Sequence, residues 1–389
     1  MHNLSRLRVG VLILAVVALA LTGTTPASAA VQSTAPACAK PDGHVDASVI
    51  GSGVVYVGGT FTHVTDRHGT SQPRAGLAAI DMSTCDLLPW RADADNQVYA
   101  LAMHGSTVYA GGDFATVGGQ PRSGVAALDA TSAKVLPFSP HVSGTVRALA
   151  SSGTTVYAGG SFTKVNGSSR AHLAAFDAAS GALRGAWTPN ASGTVRALTP
   201  SPDGARIYVG GEFSSLDGHT TSTYVAAVDP TSGALTTAFQ ARVSFPVLSL
   251  VADSRAVYAG GGGSGGHLVI WNTDGSLQRP VYQTDGDVQA IAVDGGTVYG
   301  GGHFDNYCVG NTGAGAPFVC ETSLTRHKLF AVSLTTGNVT SWAPRLNSNL
   351  GVFTEATDPA SGDLWVGGDF TTVNGVSRPH LSVFRNGTT

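Results

Sequence analysis

The sequence predicts an all-β chain: a seven-bladed β-propeller of four-stranded antiparallel blades, its ring closed by an N-terminal strand that completes the last blade. Three observations predict it. An aromatic-x-Gly-Gly phrase recurs at Tyr56, Tyr109, Tyr157, Tyr208, Tyr258, Tyr299 and Trp365, at intervals of 53, 48, 51, 50, 41 and 66 residues, a period in the range of radial repeat arrays. Each copy resolves into four short β-prone runs punctuated by turn residues. No segment sustains a helical period.

The chain opens with an export signal over residues 1–30. His2, Arg6 and Arg8 give a weakly basic start, Val9 to Leu21 is an unbroken apolar run, and Ala27-Ser28-Ala29 is a small-x-small cleavage signal. Cleavage is expected near Ala29 or Ala30, giving a secreted protein with no membrane association thereafter, since the apolar run is too short to span a bilayer. Residues 31–389 form a single domain and are expected to stay monomeric. Charged residues make up 12% of the chain and the net charge is −3, against a usual charged fraction of about 25%. A nucleic-acid partner, which needs clustered Lys and Arg, is excluded on that ground.

Copy three shows the unit. "TVRALAS" (Thr145 to Ser151) is strand A, "TVYAGGSF" (Thr155 to Phe162) strand B, "HLAAFDA" (His172 to Ala178) strand C and "ALRGAWTP" (Ala182 to Pro189) strand D. Turn signals stand between them at Ser152-Gly153, Asn166-Gly167 and Ser180-Gly181. An aromatic precedes the next copy's first valine by eight residues, as in Trp90/Val98 and Trp187/Val195. The last copy stops after "HLSVFRNGTT" without a fourth strand, and residues 31–42, containing "STAPACAKPDGHV", are expected to supply it. Copy five is abbreviated between B and C ("GGGGSGGHLVIW"). Copy six carries an insertion there, residues 305–326.

The unit "VYxGGxF…(V/L)xG…R…LAA(F/V)D…G" resembles the delta-60 type repeat of secreted bacterial β-propellers, over essentially the whole mature chain. The resemblance implies a propeller but no particular reaction. The adjacent-cysteine pair of a quinone site is absent, and neither a cofactor nor a metal is expected.

Most repeated residues read as structure. Gly-Gly pairs such as Gly159-Gly160 suit a strand end where backbone approaches backbone, for a P-loop would need Lys-Ser/Thr and a helix. The following aromatics (Phe61, Phe114, Phe162, Phe213, Phe304, Phe370) are expected to pack between blades. Asp81, Asp129, Asp177 and Asp229 precede turns whose amides they bond. Arg74, Arg122, Arg170, Arg326 and Arg378 precede strand C and are expected to brace loop carbonyls or a carboxylate of their own blade. His172, His267 and His380 read as strand-edge surface residues. Four cysteines in an exported chain are expected to be oxidised. Cys308 and Cys320 bracket the insertion and pair there, stapling a loop without strand partners; by elimination Cys38 pairs with Cys85.

Loops B–C and D–A leave one face, and the residue between Gly-Gly and Phe sits at the exit of strand B on that face. It varies: Thr60, Asp113, Ser161, Glu212, Gly262, His303, Asp369. Asp113 and Asp369 have a same-blade arginine, Arg122 and Arg378, to pair with, whereas Glu212 has none and His303 opens the stapled loop. The first reading is a non-catalytic binding scaffold that recognises an extracellular glycan, wall polymer or protein through these loops, with His303, Asp305, Asn306, Tyr307 and Arg326 as the binding loop. The alternative is an extracellular hydrolase or lyase acting on carbohydrate through Asp113, Glu212, His303 or Asp369 in a central funnel.

Overall fold

The computed structural model describes residues 31–311 and 320–387; the expected export signal, residues 1–30, lies outside the described residues. Those residues form strands and turns, with no helix among them. Each copy folds as an antiparallel meander in the order A–B–C: Val45–Gly51, Val54–Gly59 and Leu77–Asp81 in copy one, Val146–Ser152, Thr155–Gly160 and Leu173–Asp177 in copy three, and Val352–Thr357, Leu364–Gly368 and Leu381–Phe384 in copy seven. Strand A of each copy lies against strand A of the next, and Val45–Gly51 also lies against Val352–Thr357.

The expected fourth strand is shorter than the sequence suggests. In most copies it touches strand C through one bridge, as in Ile80 with Leu87, Phe176 with Leu183 and Val332 with Val339. Proline explains part of this, since Pro89 and Pro137 follow closely and offer no ladder N–H. The segment then peels away and buries its aromatic. Trp90 packs edge-on to Tyr56 at 5.3 Å, Phe138 meets Tyr109 at 5.2 Å, and Trp342 meets Tyr299 at 5.4 Å. Both partners also reach across to the next copy: Tyr56 Oη donates to the Ala130 carbonyl and Trp90 Nε1 to that of Asp129. The same pair of bonds recurs as Tyr157 to Pro230 and Trp187 to Asp229.

The core lies between copies rather than within them. One buried cluster joins Ala148, Tyr157 and Leu173 of copy three to Val195, Val209 and Phe213 of copy four. Another joins Val45, Val57 and Phe61 of copy one to Trp365, Leu381 and Val383 of copy seven. Gly159-Gly160 shows why glycine stands at the end of strand B. A β-carbon on Gly159 would lie 2.4 Å from the Val195 side chain, and one on Gly160 would lie 2.0 Å from the Thr145 carbonyl oxygen.

The repeated arginines brace carbonyls. Arg74 donates to Pro73 and Leu88, Arg122 to Pro121 and Leu136, Arg170 to Ser169 and Gly185, and Arg326 to Thr325 and Thr340. In each the second acceptor belongs to the fourth segment of the same copy. Arg378 donates to Ser377 and, in place of a fourth segment, to Ala35. Val31 bridges Asn386, the Gln32 amide donates to Arg385, and Trp342 Nε1 donates to the Gln32 carbonyl. The chain then crosses to copy one, where Lys40–Pro41 pairs with His63–Thr65 and Cys38 is bonded to Cys85.

The insertion in copy six is not a loop without strand partners. Asn306–Asn311 and Cys320–Thr325 form a hairpin bridged by Cys308–Cys320, and Tyr307 and Cys308 pair with Thr284 and Gln283. Gln283 and Thr284 pair in turn with His267 and Gly266 of copy five. The short B–C loop of copy five leaves that edge free, and the long hairpin of copy six prolongs the sheet along it. The two departures from the repeat complement each other.

Candidate functional site

Every strand A carries a β-bulge one residue after its first valine. The ladder skips Asp46, Tyr99, Arg147, Arg196, Leu248, Gln289 and Phe353 in copies one to seven. A bulge re-aims a side chain out of the alternating pattern of a strand. All seven of these residues line one cavity of about 470 Å³ on the B–C and D–A face. The valine before and the small residue two positions on repeat almost unchanged, while this position differs nearly every time. The scaffold is periodic and its lining is not.

The cavity is a mixed-charge funnel. Arg147 lies over the Tyr99 ring, its Cζ 4.8 Å from the centroid. Arg196, at the same place in the next copy, holds Glu212 Oε1 through Nε at 2.8 Å and Nη2 at 2.6 Å. Asp287, also in the lining, accepts the Gly263 amide at 3.3 Å. Asp46 is pushed up to about 6 by burial, against the opposing effect of a hydrogen bond from Gln97 Nε2 at 2.9 Å. Burial, helped by Asp113, raises the Tyr99 phenol above its ordinary value.

Deeper along the axis the fourth residue of strand A is Leu101, Leu149, Leu198, Leu250 and Ile291 in copies two to six, Ser48 in copy one and Glu355 in copy seven. Ser48 Oγ and Thr354 Oγ1 share a hydrogen bond of 2.8 Å beside it. Both carboxyl oxygens of Glu355 are buried, and among the described residues neither meets a donor in good hydrogen-bond geometry. Burial drives its carboxyl well above the usual range, and the nearby Ala292 amide opposes this only in part.

Of the strand-B exit residues, Glu212 and Gly262 line the funnel. Glu212 does have an arginine, but from strand A rather than from the B–C loop. Asp113 and Asp369 make no ion pair with Arg122 or Arg378, whose two Nη groups bond carbonyls instead. Asp369 instead holds the Ser348 hydroxyl and the amides of Leu350 and Gly351, fixing the connection into strand A. His303 is exposed and its amide donates to Asp287.

In the insertion, Arg326 is 9% exposed and clamps two carbonyls, and Tyr307 rests near Phe330 at 5.9 Å. Asn306 Nδ2 donates to Asp285, and Asp305 pairs with His327 and Lys328. His172, His267 and His380 are not simple surface residues. His267 stacks on Phe245 at 3.9 Å, and His172 and His380 hold left-handed backbone at φ 68 and 63. Sequence reasoning missed Asp46, Tyr99, Arg147, Arg196, Asp287, Gln289 and Phe353. The available signal was the "VRAL" of copies three and four set against "VDAS", "VYAL" and "VFTE" elsewhere.

Among solved structures the chain is similar to the WD40 β-propeller domain of Doa1, with a TM-score of 0.57 and 11% identity over 91% of this chain and 97% of that one. The fold is a β-propeller. A computationally designed protein, Ika8, matches with a TM-score of 0.54 and 12% identity over 90% of this chain and 100% of its own. The extracellular domain of a putative one-component system from B. thetaiotaomicron matches with a TM-score of 0.53 and 16% identity, covering 88% of this chain and 38% of that one. At such identities the likeness concerns the propeller fold alone. No family model and no curated relative matches the sequence.

Proposed function

We propose that the protein is a secreted, non-catalytic, seven-bladed propeller that binds an extracellular carbohydrate in its axial funnel. The convergence of seven bulged, non-repeating side chains on one cavity carries this reading. Aromatic faces at Tyr99 and Phe353 stand beside planar polar groups at Arg147, Arg196, Asp46 and Gln289, a pairing suited to the apolar faces and hydroxyl edges of sugar rings. The closed seven-bladed ring is supported by the neighbouring A strands of copies one and seven and by the Ala35 carbonyl in the Arg378 clamp. Two disulfides and an extracellular domain among the structural neighbours are compatible with export.

The test is a glycan panel screened against the mature protein by calorimetry, followed by Tyr99→Ala and Arg147→Ala. Binding of a saccharide that either substitution weakens tenfold or more supports the funnel. A ligand whose affinity neither substitution changes removes it.

One observation favours the enzymatic reading. Asp46, held near pH 6, suits general acid–base work close to neutrality, with Glu212 in the same funnel. Turnover of a polysaccharide panel that disappears in Asp46→Asn is the result this second reading requires.

A further inference from the structure

A second cavity, of about 720 Å³, opens on the same face between the insertion of copy six and the loops of copy seven. Its charged lining consists of Asp305, His327, Lys328 and Arg345. Lys328 is 5% exposed, and its Nζ lies 3.2 Å from Asp305 Oδ1. His327 Nδ1 approaches the same oxygen at 3.1 Å. Among the described residues Asp305 is the one partner of the Lys328 ammonium, which has three N–H groups to give. Arg345 is exposed, and its guanidinium makes no ion pair or hydrogen bond among the described residues. Two permanently charged cations thus line the cleft with one carboxylate, on a protein whose net charge is −3. The axial funnel has the opposite balance, with Asp46, Glu212 and Asp287 against two arginines.

The backbone at Lys328 follows the repeat. The residue just before strand C adopts left-handed φ in six copies: Gly76 at 67, Gly124 at 77, His172 at 68, Tyr224 at 64, Lys328 at 71 and His380 at 63. Its carbonyl accepts the second Gly-Gly amide and its amide donates to the phenylalanine carbonyl, as in Gly302 to Lys328 and Lys328 to Phe304. Glycine meets that geometry without strain in copies one and two. Copies three, four and seven hold His172, Tyr224 and His380 there, and copy six holds a lysine that lines the cleft.

We infer that this cleft is a binding site for an anionic group, a carboxylate or a phosphate carried on an extracellular polymer, held by Lys328, Arg345 and His327. It is separate from the funnel and does not depend on the funnel's ligand. Lys328→Gly is a suitable variant because copies one and two already fold with glycine at this position.

Calorimetric titration of the mature protein with an oligogalacturonate and with a poly(glycerol phosphate), at low and moderate salt, tests the site. Expected is binding of at least one probe that falls tenfold or more in Lys328→Gly with Arg345→Ala, while Arg147→Ala leaves it unchanged. Binding of the uronate alone or of the phosphate alone names the source of the anion. No binding of either probe, or equal binding by the double variant, overturns the proposal. Loss in Arg147→Ala alone assigns the anion to the funnel instead, and overturns it equally.

Discussion

Arg147 and Tyr99 meet across the boundary between copies two and three, guanidinium over ring, although 48 residues separate them in sequence. Each is the bulged residue of its own strand A, so the contact is made by two side chains that the ladder has released.

If that pair forms part of the binding surface, its loss is visible in affinity and scarcely in stability. A partly exposed cation–π contact contributes about 0.5–1 kcal/mol. Arg147→Ala is therefore expected to leave the denaturant midpoint almost unchanged while reducing saccharide affinity tenfold or more. Paired calorimetry and urea titrations measure both.

Asp46 gives the funnel a pH dependence near neutrality. Its folded value is about 6 against an ordinary 3.8, raised chiefly by burial. As a carboxylate it accepts hydrogen bonds from ligand hydroxyls, and as a neutral acid it accepts fewer. Saccharide affinity is expected to rise between pH 5 and 7, and Asp46→Asn to flatten that rise. Affinities measured at half-unit steps decide the matter; a rise that persists in the variant assigns it to another group.

Glu355 sets a second pH effect, this time on stability. Its folded value lies above the unfolded 4.5 because burial of its carboxyl outweighs the opposing effect of the Ala292 amide. The folded state therefore binds this proton more tightly, and the contribution of Glu355 to stability is fully present below about pH 4.5 and lost as pH rises through the folded value. Glu355→Leu, which restores the residue of copies two to five, is expected to stabilise by about 1–3 kcal/mol at neutral pH. The gain shrinks toward pH 4. Thermal unfolding of both proteins across that range is the measurement, and a pH-independent difference contradicts it.

The two disulfides are expected to differ in worth. Cys38–Cys85 closes a sequence separation of 47 residues and Cys308–Cys320 one of 12. In the loop-entropy account these correspond to about 4 and about 3 kcal/mol. Paired serine variants compared by denaturant unfolding are expected to show the larger loss for Cys38→Ser with Cys85→Ser.

Repetition made most of the scaffold legible. Tyr157, Gly159-Gly160, Phe162, Arg170 and Asp177 recur in register because each serves a contact that every copy needs, and a residue written many times announces its role. Asp81, Asp129, Asp177 and Asp229 do hold their turn amides. The funnel was hidden for the opposite reason. Its residues have nothing in common as types, and whether Arg196 points inward depends on a single skipped rung between Val195 and Ala197. Alternation alone cannot foretell a broken alternation. The fourth strand was overread because Leu183 and Trp187 look β-prone, whereas one bridge at Leu183 is all that the ladder takes. Glu212 and Arg196 lie 16 residues apart, and only the A–B pairing of copy four brings them together.

The carbonyls of Gln32, Ser33 and Ala35 are held by Trp342, Asn374 and Arg378. The stretch synthesised early thus waits for the stretch synthesised late before either has its permanent neighbours.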